Sequence, residues 1–284
     1  MLKQRVITAV IMLLVLLPAL FAPVAWPFSL LMLAMAGAAA WEWGRLNGAT
    51  SSSAVAMGLV TAAACGAALW AGWVHVGPSV AWWVAFAVWV LGGALALKVG
   101  VASWPQLPRV ARWVLGMAAV WTAWLALSSA KAAGINFLLS IFCLVWVADI
   151  AAYFGGKTFG RRKLAPAISP GKSWEGVWSG MVGVQVLAWA WIAADRHWQL
   201  PSMDSASLFT VLLERLGVPG LVLALIFLSA MSVVGDLVES LVKRSAGAKD
   251  SSNLLPGHGG VLDRVDALLP VFPIALALST LGGF

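Results

Sequence analysis

The sequence predicts an all-α, polytopic integral membrane helix bundle of about nine transmembrane helices with a cytoplasmic N-terminus. Composition is the first reason. Of 284 residues, 62% are hydrophobic and only 10% charged, whereas soluble domains carry about 25% charged and 45–50% apolar residues. Mean hydropathy is +0.93. The second reason is that the apolar residues come in long runs broken by Pro, Gly and charge. The third is that Lys and Arg are concentrated in alternate breaks.

Each span needs about 20 apolar residues. The predicted spans are Arg5–Phe21, Trp26–Trp43, Ala54–Val76, Val80–Val99, Val110–Leu127, Ile135–Phe154, Trp174–Ala194, Val218–Val238 and Val261–Leu281. Pro23 and Pro27 fit a tight turn between the first two, with one long kinked helix as the alternative. The basic start, apolar run and small residues near Ala25 also fit a cleavable signal peptide. The run continues into the next apolar segment, which favours a retained span. The chain divides into scaffold spans, residues 1–130, and a catalytic membrane region, residues 131–284, because the polar apparatus follows residue 148.

With the N-terminus in the cytoplasm, alternation puts 15 of the 18 Lys and Arg on that side. Lys131, Arg196 and Arg215 are left on the other. This follows the positive-inside bias. The net charge of +7 therefore does not read as a nucleic-acid surface, since the basic residues lie in short loops. Cys65 and Cys143 lie within apolar runs and read as small packing residues. Trp26, Trp41, Trp43, Trp73, Trp104 and Trp113 lie near span ends and read as interfacial belts. Gly176, Gly180 and Gly183 share one helical face and read as a close-packing stripe.

Three predicted cytoplasmic patches carry chemistry. In Asp149–Lys163, Asp149 and Tyr153 share a helical face. In Ile168–Gly176, a Pro-Gly turn precedes Lys172 and Ser173 before a helix with Glu175 in its first turn. The Walker pattern fails because Pro166 stands where it needs Gly. An anion site at the helix N-terminus remains, with Lys172 and Ser173 as its candidates and a positive-inside anchor as the alternative. The third patch runs from Asp236 to Asp266. Asp236 and Glu239 end the eighth span; Asp263 and Asp266, three apart, begin the ninth. Carboxylates facing across two helix ends suit a hard divalent cation, with salt bridges to Lys243, Arg244 and Arg264 as the alternative. Lys243, Arg244, Lys249 and Arg264 would offset phosphate charge. Between the acids, Gly257, Gly259 and Gly260 permit close backbone approach, with backbone N–H groups available to phosphate oxygens. His258 is a phosphate-contacting or acid/base candidate.

Ser240, Lys243-Arg244, Lys249-Asp250, Pro256-Gly257-His258-Gly259-Gly260 and Asp263-Arg264-Val265-Asp266 resemble the signature of the phosphatidate cytidylyltransferases, also called CDP-diacylglycerol synthases. The match has no departure. The resemblance implies that CTP and phosphatidate give CDP-diacylglycerol and pyrophosphate. It matches Asp236, Asp263 and Asp266 to metal-binding acids. It further implies a Mg²⁺ requirement with room for a second cation such as K⁺, a homodimer, a bacterial inner membrane, and an active site facing the cytoplasm. A CTP-dependent lipid-alcohol kinase and a cation- or proton-coupled transporter are the alternative classes. The transporter predicts acids spread through the bilayer depth, whereas these acids bunch at one interface.

Overall fold

The computed structural model describes residues 2–198 and 205–282. Helix α1 (Leu2–Phe21) leads by a short turn into α2 (Trp26–Leu46), where Pro27 sits in the first turn. There its fixed φ suits the helix and its missing N–H costs nothing. The side chains of Lys3 and Arg5 lie outside the described residues. Thr50 caps α3 (Ser51–Trp70) by accepting from the Ser53 N–H at 3.2 Å. Helix α4 (Ser79–Val99) contains a π turn at Val88–Gly92. Then come α5 (Arg109–Ala133) and α6 (Ile135–Phe159). An antiparallel hairpin, β1 (Lys163–Ala165) and β2 (Ser169–Ser173), leads into α7 (Trp174–Trp198). Helix α8 (Leu208–Ser245) is interrupted at Gly217, which has a φ of 67° and stands two residues before Pro219. A loop, the one-turn α9 (Leu262–Val265) and α10 (Leu268–Ser279) complete the described chain.

Six helices among the described residues, α3 to α8, are long and apolar enough to cross a membrane. The bounds of the expected last span are corrected. Residues 261–267 form a cap, one helical turn and a break, so the helix proper has 12 residues. At ~1.5 Å per residue it is far shorter than the ~30 Å hydrocarbon core. It is buried from Leu269 through Leu278, packed by α4, α5, α6 and α8. The expected Pro-Gly turn is also corrected, since Pro170 and Gly171 lie within β2 and the turn is at residues 166–168.

Lipid tails are as apolar as leucine, so close contact rather than water exclusion holds such helices together. The glycine stripe works this way. A Cβ on Gly180 would sit 2.8 Å from the Ala148 carbonyl oxygen, and one on Gly176 would sit 2.8 Å from that of Ala152. These glycines let α7 lie directly on α6. Cys65 is buried and both cysteines are free. The tryptophans divide. Trp26 and Trp73 are exposed, as a belt requires. Trp43 and Trp104 are buried instead, because their indole N–H groups have partners inside, at the Arg112 carbonyl (2.7 Å) and Asn47 Oδ1 (2.9 Å).

Long-range contacts join several segments at one end of the bundle. Arg112 at the start of α5 reaches Asn47 just after α2. Arg244 near the end of α8 reaches the Ile168 carbonyl of the hairpin turn. Thr8 of α1 donates to the Pro256 carbonyl at 3.1 Å. The N-terminal part of α1 and the basic breaks at 109–112, 157–172 and 243–264 thus share one end. Lys131 lies at the other, buried in the last turn of α5 and donating to the Ala22 carbonyl.

Candidate active site

Near the end of α8, spacings of three and four residues bring Asp236, Glu239, Ser240 and Lys243 to one side of the helix. The Ser240 hydroxyl donates to Asp236 at 3.2 Å. The Lys243 ammonium is enclosed between Glu239, one turn back, and Asp263 Oδ1 at 2.7 Å. The other Asp263 oxygen accepts from the Ser251 N–H (2.9 Å), the Ser251 hydroxyl (2.9 Å) and the Gly260 N–H (2.8 Å). Burial by itself would raise the Asp263 carboxyl. The Lys243 ammonium and the two backbone donors outweigh it and hold it down to about 2.

Asp266 behaves differently. Burial, then the neighbouring Asp236 carboxylate, pushes its carboxyl up. The backbone of α8 lies directly on this residue, since a Cβ on Gly235 would come within 2.5 Å of the Asp266 carbonyl oxygen. Asp263 and Asp266 therefore part company. Asp263 is neutralised inside the fold, while Asp266 stands against a like charge.

Asp236 opens onto a cleft of about 420 Å³ between α6, β2, α7 and α8. Asp149, Tyr153 and Lys157 line it from α6, and Ser169, Gly171, Lys172 and Ser173 from the hairpin. The Lys172 ammonium meets Asp236 Oδ2 at 2.5 Å. Ser173 is buried; its hydroxyl accepts from the Gly176 N–H at 3.2 Å and so caps α7. Glu175 turns away and accepts from the N–H groups of Arg161 and Arg162, which fixes the strand entry. The first and second sequence patches thus form one wall of the cleft that Asp236 enters.

The Pro256–Gly260 turn closes on itself. The Leu255 N–H donates to the Gly259 carbonyl at 2.8 Å, and the His258 N–H returns to the Leu255 carbonyl, also at 2.8 Å. Gly257 and Gly259 take the expected positive φ, 76° and 83°. The Gly260 N–H, expected to face a phosphate, is corrected to a bond with Asp263 Oδ2 at 2.8 Å, because the carboxylate three residues on folds back onto the turn. Arg264 is exposed and grips the turn through the His258 carbonyl, leaving the His258 ring partly exposed. Arg244 bridges the Ile168 and Ala248 carbonyls, and Lys249 is exposed.

Sequence reasoning missed Glu42. It lies in α2, within the segment read as scaffold, and is fully buried. Its carboxylate accepts from the hydroxyls of Ser251 and Ser252 and from the N–H groups of Val261 and Leu262. A single acid in an apolar run has no local pattern that marks it. Its only signal is the cost of burying a carboxylate among apolar neighbours.

Residues 3–281 match the cytidylyltransferase family. The chain belongs to that family. It is 40% identical to a phosphatidate cytidylyltransferase of Pseudomonas aeruginosa over 295 aligned positions, covering 100% of this chain and 99% of the relative. It is 46% identical to a phosphatidate cytidylyltransferase of Haemophilus influenzae over 140 residues, 49% of this chain and 44% of that protein. With one of Bacillus subtilis it shares 41% over 150 residues, 52% of this chain and 49% of the relative. Family membership thus extends through the first half of the chain, where the sequence signature is silent.

The family resemblance implies Mg²⁺, and the donor set can be tested against it. Among the described residues, no three acid, histidine or cysteine side chains are gathered into a closed metal site. Mg²⁺ does not require one, since it takes one or two carboxylates and completes its shell with water and substrate phosphates. Asp236, which faces the cleft and is paired there with Lys172 and Ser240, and Asp266, which stands against its charge, are hard oxygen donors that fit that demand. Asp263 has both oxygens engaged within the protein.

Proposed function

We propose that this chain transfers CMP from CTP to phosphatidate, giving CDP-diacylglycerol and pyrophosphate, at the cytoplasmic face of a bacterial inner membrane. The observation that carries this is the cleft where Asp149, Lys172 and Asp236 meet, beside Asp266, in a chain related over its whole length to a phosphatidate cytidylyltransferase. Homodimerisation remains part of the proposal, as do K⁺ as a second cation and about nine membrane segments, with α1, α2 and the short α10 supplementing the six long helices.

A phosphate oxygen of phosphatidate is already a nucleophile. It forms a bond to the α-phosphorus of CTP, the bond from that phosphorus to the bridging oxygen breaks, and pyrophosphate leaves with the electron pair. No strong base is needed, so the protein's work is positioning and charge neutralisation. Mg²⁺, when bound, supplies positive charge that screens phosphate oxygens and stabilises the leaving group. Asp236 and Asp266 would hold it. Lys172, at the cleft wall, is placed to leave Asp236 for the triphosphate as the nucleotide enters. Ser173 positions that wall by capping α7. Lys243 neutralises Asp263 and keeps α9 against α8. Arg264 and Arg244 fix the turn and the hairpin, and Lys249 and His258 stand at the surface to meet phosphate.

The test is product analysis. Purified protein with CTP, phosphatidate and Mg²⁺ is expected to release pyrophosphate in step with CDP-lipid. CDP released from CTP with a lipid alcohol as acceptor would replace this reading by a kinase. Cation flux in liposomes lacking CTP would replace it by a transporter.

A further inference from the structure

We propose that Glu42 is a positioning residue for the reaction. Its buried carboxylate fixes the loop between α8 and α9, and through that loop the acids Asp263 and Asp266. The proposal rests on the reading of the site given above.

The two Glu42 oxygens divide four donors evenly. Oε1 takes the Ser252 hydroxyl at 2.5 Å and the Val261 N–H at 3.0 Å; Oε2 takes the Ser251 hydroxyl at 3.1 Å and the Leu262 N–H at 2.7 Å. Each oxygen thus ties one end of the loop to the other. Val261 and Leu262 open the turn that carries Asp263, and the Asp266 N–H bonds back to the Leu262 carbonyl at 3.1 Å. Setting Leu262 therefore sets both acids. Ser251 connects the two carboxylates directly, since its single hydroxyl proton is shared between Glu42 Oε2 and Asp263 Oδ2, which lies 2.9 Å away.

Two further observations show a built arrangement. A Cβ on Gly260 would come within 2.0 Å of the Ser251 hydroxyl and 2.5 Å of Glu42 Oε1, so the loop has no room for a side chain there. Among the described residues, no Lys or Arg forms an ion pair with Glu42. A fully buried charge is held by neutral donors alone, and charge-assisted bonds of this kind are strong and directional. An apolar residue would serve helix packing at less cost. What the carboxylate adds is the position of the loop.

The experiment compares wild type with Glu42→Gln and Ser252→Ala in detergent. A carboxamide turns an N–H₂ group toward one of the two backbone N–H donors, which cannot reverse. Hydrogen–deuterium exchange is expected to rise in Glu42→Gln across residues 250–266 and to stay unchanged in α6 and α7. The Mg²⁺ concentration for half-maximal CDP-lipid formation is expected to rise about tenfold, the usual effect of losing a residue that orients metal-binding groups. Ser252→Ala, which loses one of the four donors to Glu42 and the acceptor of the Leu254 N–H, shifts both readouts less in the same direction. A loop that exchanges no faster in Glu42→Gln overturns the proposal. So does a loosened loop with unchanged Mg²⁺ dependence, which would make Glu42 structural only. If Glu42→Gln does not fold, unchanged exchange and unchanged Mg²⁺ dependence in Ser252→Ala overturn it. If the wild type forms no CDP-lipid, the proposed function fails, and the exchange comparison alone still decides whether Glu42 holds the loop.

Discussion

Asp236 faces the cleft and Asp266 stands against its charge, so neither is locked between α8 and α9 as Asp263 is. Neutralising either should therefore harm catalysis more than folding. Asp236→Asn and Asp266→Asn are each expected to lower turnover about a hundredfold, the upper range for groups that bind or orient a metal, at an unchanged elution volume in detergent. Turnover near wild type in both would sink their assignment. Asp263 makes a different prediction. Its carboxyl stands at about 2 in the folded protein, against about 3.9 in an unfolded chain. The stability it contributes is complete above the unfolded value and is lost as pH falls from about 4 towards 2. The thermal midpoint should drop across that window in wild type, while Asp263→Asn should start lower and lack that component of the drop. The signature made Asp263 and Asp266 visible as candidates in the sequence, and the helix end just ahead of it added Asp236. It did not separate their roles, because spacing along the chain does not show that Lys243 and Ser251 fold back onto one of them. Glu42 was hidden for the same reason, since its partners lie more than 200 positions away.

At the scale of elements, the α6–α7 contact holds the cleft in shape. Gly180→Val is expected to destabilise the fold by about 1–3 kcal/mol, as overpacking does, because its Cβ would press on the Ala148 backbone oxygen rather than on a movable side chain. A lower thermal midpoint in detergent is the check, and a midpoint equal to wild type would mean that the helices can part without cost. This interface was readable in the sequence from the spacing of Gly176, Gly180 and Gly183. The hairpin was not. Its strands have three and five residues, and Pro170-Gly171 looks locally like a turn. The pairing that makes it a strand comes from β1. The last helix was overestimated because hydropathy runs on through Val261 and Leu262, whose N–H groups are bonded to Glu42 and not within a span.

At the scale of the molecule, the clustering of basic breaks at one end predicts which end faces the cytoplasm. In a Cys65→Ala, Cys143→Ala background expressed in bacteria, an impermeant thiol reagent added to intact cells should label Val76→Cys and spare Arg162→Cys. Both native residues are well exposed, at opposite ends; the reverse pattern would invert the orientation. The bundle character and the gathering of basic breaks at one end were legible from composition and charge. The union of the two halves was not, because Glu42 joins α2 to the loop between α8 and α9 without any charge pattern to announce it. The burial of α10 carries a consequence for biogenesis. A segment of 12 residues enclosed by α4, α5, α6 and α8 is too short to be released into lipid as a span in its own right. Its slot exists only after those four helices have assembled. Helix α10 therefore seats after them, and the acids just ahead of it come into register only when that plug closes the bundle.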